Sequence, residues 1–232
     1  MDSADGGGRE LILRTATRLF AALGYDSSSV AQVAEAAGVS QEELGAHFTG
    51  KRELYLAVME QARNLLAEAI TPRVDALMAV PPERRAWALH DFIDGYLDFC
   101  LAHPEMPALW MHRWLSDASD IVDLEAENAQ PLTQYVVEGV DTLAEPAGAD
   151  PLHTTYTMIW CIHGFVLSGV LNGSGYRRGV EDQDQLRRFR DHMHRLLGRA
   201  LDLPDPRAEE RATSPYDGAT ISSPPDHDIG GT

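Results

Sequence analysis

Three aspartates are the polar residues whose spacing comes nearest to a chemical site. Asp91, Asp94 and Asp98 stand at i, i+3 and i+7, so their carboxylates would share one face of a helix and could hold a metal ion. A solvated acidic face explains the same spacing more simply. A metal-dependent enzyme on a helical bundle therefore remains only a lesser alternative, and we expect neither a metal nor another cofactor.

Histidine and cysteine spacings add no catalytic motif. His192 and His194 are two residues apart, as are Cys161 and His163, and side chains at that spacing do not share a helical face. The sequence contains no HExxH, P-loop, GxSxG or dinucleotide-binding pattern. Its two cysteines are interpreted as reduced core thiols. We therefore predict that the protein is not an enzyme.

Residues 28–48 carry the most informative pattern, two short helices that each begin with a capping residue. Ser29 is followed three residues on by Gln32, and Ser40 by Glu43, which is the capping-box spacing. Gly38 between them suits a left-handed helix end. Two capped helices joined by such a turn are typical of a helix-turn-helix, whose second helix enters the DNA major groove. A plain αα-hairpin would use the same caps, and the spacing alone favours neither.

Residues 10–59 closely resemble the TetR family of transcriptional regulators. The matching positions are Ile12-Leu13, Leu19-Phe20, Gly24-Tyr25, Ser29-Val30, Val33-Ala34, Ala36 to Ser40, Leu44, His47-Phe48, Lys51 and Leu54. The resemblance implies a three-helix DNA-binding head that is followed by a larger helical domain for ligand binding and dimerisation. The rest of the chain carries no shared motif, and its length and helical pattern fit such a domain.

The resemblance also implies which residues face DNA. They are Ser29, Ser40, Gln41, Glu42, Gly45, Ala46, His47 and Lys51. Three of these depart from the family pattern, because Gln41-Glu42 replace the usual Lys-Gly and Gly45 replaces a Tyr. Glu42 would repel phosphates but could accept a hydrogen bond from cytosine N4, whereas Glu43 is the capping-box partner. A helical ligand-binding protein with weak or lost DNA affinity is thus the main alternative.

The charge distribution agrees with a DNA-facing head. The whole chain carries a net charge of −17, yet the five basic and five acidic residues of 9–52 balance. Lys51 opens a helix, where its amine and the backbone N–H groups could both contact phosphate. The residues outside this segment are acidic, which excludes a protein that binds nucleic acid through charge alone.

The body contains clustered aromatic residues and methionines that predict an apolar ligand site. The residues assigned to it are Tyr96, Phe99, Trp110, Met111, Trp114 and Trp160. Core packing is the alternative for each residue singly, whereas the set as a whole suits a cavity between helices. The TetR-like resemblance implies a small-molecule site in this half of the chain.

Two carboxy-terminal helices resemble the paired helices through which TetR-like proteins dimerise. Gly164 and Ser168 would let a second helix approach closely, and Phe189 and Met193 lie on the apolar stripe of the following helix. These four residues are the predicted interface of a homodimer. Close packing within one subunit is the alternative.

The elements that must position these residues are all helices. Apolar residues recur at helical spacing from Leu11 to Leu201, and no convincing strand pattern interrupts them. We predict an all-α fold of about nine helices, in which Pro72 bends or ends a long helix that begins at Lys51. Predicted helices also include Pro104–Ser116, Ile121–Asn128 and Leu152–Leu171.

Four regions follow from this pattern. Residues 1–8 form a disordered amino terminus, residues 9–55 a helix-turn-helix domain with its motif at 29–48, and residues 56–203 a ligand-binding and dimerisation domain. Residues 204–232 are rich in Pro, Ser, Asp and Gly and form a disordered acidic tail.

Location follows from two further segments. The chain shows no secretory signal at its start, and the uncharged segment 151–176 is interpreted as a buried helix rather than a membrane span. We therefore expect a cytoplasmic, homodimeric regulator. It would bind a pseudo-palindromic DNA operator as a repressor and be released by an apolar small molecule.

Overall fold

The computed structural model describes the backbone of residues 2–206 and the side chains of residues 7–206. Within this range the fold is all-α, as predicted, with nine α-helices and one very short hairpin. The helices are α1 Asp2–Leu23, α2 Val30–Ala37, α3 Gln41–His47, α4 Lys51–Ala79, α5 Arg85–Ala102, α6 Glu105–Trp114, α7 Gln130–Ala144, α8 Pro151–Ser168 and α9 Gln183–Ala200. The hairpin pairs β1 Val170–Leu171 with β2 Arg177–Arg178. A π-helical turn, Glu125–Ala129, precedes α7, and short 3-10 turns lie at Pro82–Arg84 and Glu145–Ala147.

The first three helices and the start of α4 enclose one apolar centre. Helix α1 contributes Ile12, Ala16 and Phe20, all fully buried at helical spacing. Leu44 from α3 and Leu54 from α4 are likewise buried, so the short helices α2 and α3 are held by packing rather than by their own length.

Helix α4 runs unbroken from the head into the body. Pro72 lies inside it, although proline removes one helical hydrogen bond and strains the preceding turn. Ile70, Val74 and Leu77 are buried on both sides of Pro72, against α5 and α7. This packing keeps the helix continuous to Ala79, so Pro72 does not end it.

The segment after α6 differs from the prediction of a helix at 121–128. Helix α6 ends at Trp114, and Ser116 and Ala118 adopt positive φ angles of 70° and 55°. Non-glycine residues rarely adopt this conformation, so the helix cannot continue there. Regular structure resumes only at the π-helical turn, because hydrogen bonds from the Arg113 side chain hold the carbonyl groups of the intervening loop.

Helix α8 also ends earlier than predicted. Gly169 has φ of +58°, and a Cβ there would lie 2.2 Å from the Arg178 carbonyl oxygen. The carboxamide oxygen of Asn172 accepts hydrogen bonds from the N–H groups of Ser174 and Tyr176, which closes the turn of the hairpin. The residues Val170–Leu171 therefore pair as a strand instead of extending α8.

The sequence predicted disorder at both ends of the chain, and the structure describes most of the first of these segments but little of the second. The backbone of residues 2–8 is helical, where composition predicted disorder, because adding residues to an established helix costs less than starting one. Residues 204–206 follow the last helix without regular structure, and the rest of the predicted tail lies outside the described residues. Among the described helices, none is long and apolar enough to span a membrane.

Candidate DNA-binding surface and ligand cavity

The helix-turn-helix forms as its caps predict. The Ser29 hydroxyl accepts a hydrogen bond from the Gln32 N–H at 3.2 Å, and the Ser40 hydroxyl accepts one from the Glu43 N–H at 3.0 Å. Gly38 takes the left-handed conformation that turns the chain between α2 and α3. Ser29 and Ser40 therefore have a structural role as helix caps, whatever they contact on DNA.

Helix α3 presents one polar face to solvent. Leu44 and Phe48 are buried, whereas Gln41, Glu42, Glu43, Gly45 and Ala46 are exposed. Small residues at 45 and 46 would let the helix backbone approach a groove floor. His47 is half-buried, and a Cβ on Gly8 of α1 would lie 3.4 Å from its Nε2.

Lys51 occupies a more constrained position than the sequence indicated. Its Nζ lies 4.2 Å from the centre of the Tyr25 ring and donates a 3.4 Å hydrogen bond to the Asp26 carbonyl oxygen. The ring and the carbonyl hold the amine beside the α1–α2 turn, at the amino-terminal end of α4. A phosphate at this helix end would meet both the amine and the backbone N–H groups.

A cavity of about 440 Å³ lies in the body between α4, α5, α6, α7, α8 and the π-helical turn. Tyr96, Trp110 and Trp114, three of the six residues that the sequence assigned to a ligand site, line this cavity. Phe99, Met111 and Trp160 do not line it. Phe99 is buried against His103, and Trp160 is 53% exposed on the outer face of α8. The sequence identified the right helices but could not identify which face of each helix meets the cavity.

Other lining residues were not predicted, and two of them are buried polar groups. Asn128 of the π-helical turn and His163 of α8 are 9% and 3% exposed. The Tyr96 hydroxyl and His163 Nε2 are 2.7 Å apart, and Trp114 stacks on the His163 ring at 5.4 Å between centres. The sequence offered His163 no partner, because its polar neighbour Cys161 is two residues away and lies on another face. The partners of His163 come from α5 and α6 instead.

Burial keeps two titratable groups that line the cavity, His163 and Tyr96, uncharged at neutral pH. Burial lowers the pKa of His163 to about 4, and burial raises the pKa of Tyr96 above its ordinary value. The pKa of Cys100, on the same helix as Tyr96, is raised to about 12 by burial. Cys100 is therefore a protonated core thiol, consistent with the interpretation from sequence.

Arg113 organises the loop beside the cavity. Its Nε and Nη2 pair with the two carboxylate oxygens of Glu125, and hydrogen bonding to Arg113 lowers the Glu125 pKa. Its remaining N–H groups go to the carbonyl oxygens of Asp117, Ala118 and Ile121. All five guanidinium donors are thus used within the chain. Arg113 itself is buried.

The same loop is hydrogen-bonded to the DNA-binding head. The Asp117 carboxylate accepts hydrogen bonds from the N–H groups of Tyr25 and Asp26 at 2.5 and 2.8 Å. His112 Nε2 lies 3.1 Å from the Ala21 carbonyl oxygen. Helix α6 thus lines the cavity through Trp110 and Trp114 and contacts the end of α1 through His112, while Asp117 in the loop after α6 holds the α1–α2 turn.

The predicted dimer residues fall into two groups. Gly164 is partly exposed, a Cβ added to it would meet no atom within 4 Å, and the exposed Ser168 hydroxyl donates to the Gly164 carbonyl oxygen at 2.8 Å. Phe189 instead stacks on Phe165 of the same chain, with ring centres 4.0 Å apart. Met193 is 0% exposed. The assignment of Met193 to an interface is wrong, because it is already buried by its own chain.

The aspartate row is occupied by arginines. Arg190 of α9 donates to both Asp94 and Asp98, and Arg73 Nε lies 3.4 Å from Asp91. Among residues 7–206 no cluster of His, Cys, Asp and Glu has the arrangement of a metal site. The acidic face therefore connects α5 to α9 and α4 by ion pairs, and the alternative of a metal-dependent enzyme loses its proposed ligands.

The head of the chain matches a family of known proteins. Residues 12–58 match the family of bacterial regulatory proteins called the tetR family. No curated protein sequence matches the chain.

Solved structures are similar in fold at low identity. AibR, in complex with isovaleryl coenzyme A and operator DNA, is 16% identical, with a TM-score of 0.61 over 82% of this chain and 97% of its own. The ketosteroid transcriptional regulator KstR2 of Mycobacterium tuberculosis is 16% identical, with a TM-score of 0.62 over 85% and 95%. The fatty acid degradation regulator FadR from Bacillus halodurans is 15% identical, with a TM-score of 0.58 over 82% and 93%. These likenesses show the fold.

Proposed function

The head of this chain, residues 12–58, belongs to the tetR family of bacterial regulatory proteins, and from that premise we propose that the protein is a ligand-responsive transcriptional regulator. The observation that carries the proposal is helix α3, which is capped by Ser40, anchored by the buried Leu44 and exposed along Gln41, Glu42, Gly45 and Ala46. Such a helix is presented to the major groove of DNA.

The ligand site of this proposal is the body cavity. Its walls are mainly apolar, and its volume of about 440 Å³ falls in the range of small-molecule sites. We propose an apolar effector. The regulator AibR is known in complex with both isovaleryl coenzyme A and operator DNA, which supports the pairing of the two sites on this fold.

Communication between the sites would run through α6. A ligand against Trp110 and Trp114 acts on the carboxy-terminal end of α6, and the loop that follows this end holds Tyr25 and Asp26 through Asp117. A ligand that binds better to a shifted α6 would shift the population toward a head arrangement that does not fit the operator. The protein would then be a repressor that its effector releases.

We also propose a homodimer that binds a pseudo-palindromic operator, because two heads related by a two-fold axis bind two half-sites. A regulator of this kind works where the chromosome lies, which favours a cytoplasmic location. The use of Asp91, Asp94 and Asp98 in ion pairs supports a role without catalysis.

Selection of genomic fragments by the purified full-length protein tests the function. We expect recovered sites with two-fold symmetry and half-sites one helical turn apart, or a multiple of that distance. Ala46→Asp adds a carboxylate to the exposed face of α3 and should weaken binding at least about tenfold. Ala22→Asp adds the same charge to an exposed position of α1 and serves as the control. Recovery of no preferred sequence at low salt would overturn the proposal.

The alternative function is a small-molecule-binding protein whose head has lost DNA affinity. The exposed Glu42 and Glu43 favour it, since carboxylates on the groove-facing helix repel phosphate. It predicts that ligand binding persists while no DNA preference appears at any salt concentration.

A further inference from the structure

The cavity contains buried polar atoms for which the chain provides no partner. Asn128 Oδ1 and His163 Nδ1 are both inaccessible to solvent and make no hydrogen bond among the described residues. Both residues line the cavity. Arg63 Nε, from a third lining residue, is likewise buried without a partner. Buried polar atoms are nearly always paired, so unpaired atoms on three residues of one cavity point to a ligand that pairs them.

The chemistry of these atoms restricts the ligand group. Asn128 Oδ1 is an acceptor and needs a donor. His163 is neutral because burial lowers its pKa to about 4, so one ring nitrogen carries a proton and the other a lone pair.

The pairing with Tyr96 leaves two possibilities for His163. If the Tyr96 hydroxyl donates to Nε2, Nδ1–H is a free donor; if Nε2–H donates to the hydroxyl oxygen, Nδ1 is a free acceptor. A group that both donates and accepts satisfies Asn128 and either form of His163. A hydroxyl does so, whereas an ether or a ketone only accepts.

A carboxylate fits this end of the cavity poorly. Arg113 is the cation tied to the cavity through Glu125, and its five donors are all used by Glu125 and three backbone carbonyls. A buried carboxylate beside neutral His163 would receive no counter-charge from Arg113. Arg63 also lines the cavity; its guanidinium lies 4.0 Å from Glu60 and donates to Asn64, while its buried Nε–H has no partner among the described residues. A carboxylate held by Arg63 would still offer no donor to Asn128 Oδ1.

We propose that the effector is an uncharged alcohol or phenol whose apolar body lies against Trp110 and Trp114 and whose hydroxyl pairs with Asn128, His163 or both. This assignment rests on the proposed function, since it names the ligand class for the same cavity. The aromatic walls favour a flat ring system, which stacks on indole faces.

Four probes on one skeleton test the assignment: 4-phenylphenol, biphenyl, 4-methoxybiphenyl and biphenyl-4-carboxylate. Binding to the full-length protein is followed by tryptophan fluorescence and by calorimetry. We expect 4-phenylphenol to bind at least about tenfold more tightly than each of the other three, because only its hydroxyl both donates and accepts.

Substitution of Asn128 and His163 tests whether these two residues cause the preference for 4-phenylphenol. Asn128→Leu and His163→Phe, alone and combined, should reduce the preference for 4-phenylphenol over biphenyl, and the double variant should bring it close to one. Tyr135→Phe removes a hydroxyl that pairs with Asp75 outside the cavity, so it should keep the full preference. Melting curves show whether a reduced preference reflects misfolding. Asn128→Leu removes a buried polar atom that has no partner among the described residues, so its melting temperature should not fall below that of the wild type.

Three results would overturn the assignment. If biphenyl-4-carboxylate bound most tightly, Arg63 would be the group that recognises the ligand. Equal affinities of the four probes would show that no polar contact contributes to binding. Absence of binding by all four probes would exclude alcohols and phenols on this skeleton as the ligand class. None of these results bears on operator selection. Failure of DNA binding would remove the proposed regulator and leave the hydroxyl preference standing.

Discussion

At the scale of single residues, Glu42 is the sharpest test of how the head contacts DNA. Glu42→Gln removes a carboxylate from the exposed face of α3, so affinity for non-specific DNA should rise. If Glu42 accepts a hydrogen bond from a cytosine, discrimination at that base pair should fall by about 1–3 kcal/mol. Fluorescence anisotropy with single-base operator variants measures both effects. Glu35→Gln makes the same charge change on α2, so it should raise affinity for non-specific DNA without changing the preference for any base. If Glu35→Gln lowered base discrimination as Glu42→Gln does, a direct contact between Glu42 and a base would be excluded.

Lys51 should act on phosphate and not on bases. Lys51→Ala should weaken all DNA sequences alike and lower the slope of log affinity against log salt by about one for each phosphate that the amine no longer neutralises. It should also cost about 0.5–1 kcal/mol of folding stability, because the amine no longer rests on the Tyr25 ring. Salt titrations and urea melts measure the two effects. Arg18→Ala on the exposed side of α1 is the control, and an unchanged salt slope in Lys51→Ala would refute the phosphate contact.

His163 predicts a particular pH dependence of stability. Its pKa in the folded state, about 4, lies below the ordinary value of 6.5, so the unfolded chain binds the extra proton first as pH falls. Stability from this residue is therefore complete above pH 6.5 and is lost between pH 6.5 and about 4. The loss amounts to roughly 3 kcal/mol.

The measurement compares urea unfolding of the wild type and of His163→Phe at a series of pH values between about 7 and 4. Other groups titrate in both proteins, so only the difference between the two curves reports on His163. We expect the wild type to lose more stability toward acid than the variant. Parallel curves would contradict the depressed pKa.

At the scale of elements, the loop after α6 joins the ligand cavity to the head. Asp117→Asn keeps an acceptor but removes the charge and one of two carboxylate oxygens from the N–H groups of Tyr25 and Asp26. Losing a charge-assisted hydrogen bond at this site should cost about 1–3 kcal/mol. Hydrogen exchange across residues 21–29 should accelerate accordingly. Asp120→Asn, an exposed charge change in the same loop, should leave that exchange nearly unchanged.

Elements with local signals were predictable from sequence. The caps Ser29 and Ser40 and the turn glycine at 38 mark α2 and α3 within one or two residues, because the hydrogen bonds that start and end these helices are local. The clustered aromatic residues likewise indicated the helices of the cavity, and three of the six residues assigned there line it.

Features that depend on distant partners were not predictable. Asp117 accepts hydrogen bonds from backbone N–H groups that lie 92 and 91 residues away, and nothing in its neighbourhood in sequence indicates this. The persistence of α4 through Pro72 likewise depends on packing against α5 and α7. His163 was missed for this reason too, since its partner Tyr96 is 67 residues away.

At the scale of the whole molecule, α8 shows what remains for a second chain to cover. Trp160, Gly164 and Leu167 follow one another along one face of α8, and Trp160 and Leu167 are exposed. An apolar stripe of this kind supports the proposal of a dimer through α8 and α9. The open space beside Gly164 makes it a suitable position to test, since a Cβ added there meets no atom of its own subunit within 4 Å.

Gly164→Trp should therefore leave each subunit folded and separate the dimer, because the indole would hold the facing helices apart. Sedimentation should show a monomer, and affinity for a two-half-site operator should fall toward that for a single half-site. Arg187→Trp is the control, because it adds the same ring to an exposed position of α9. Gly148→Trp is not used, because Gly148 has a positive φ. A dimer of unchanged stability in Gly164→Trp would exclude this face.

The contact of Asp117 with the α1–α2 turn also sets an order of events during synthesis. Its two hydrogen bonds join residues 92 and 91 positions apart, so the head leaves the ribosome well before its acceptor exists. At about 5–20 residues per second the ribosome needs roughly 5–20 seconds to make that stretch. During this interval the N–H groups of Tyr25 and Asp26 can bond only to water. A nascent chain therefore completes the hydrogen bonding of this turn only after the loop that follows α6 has been made.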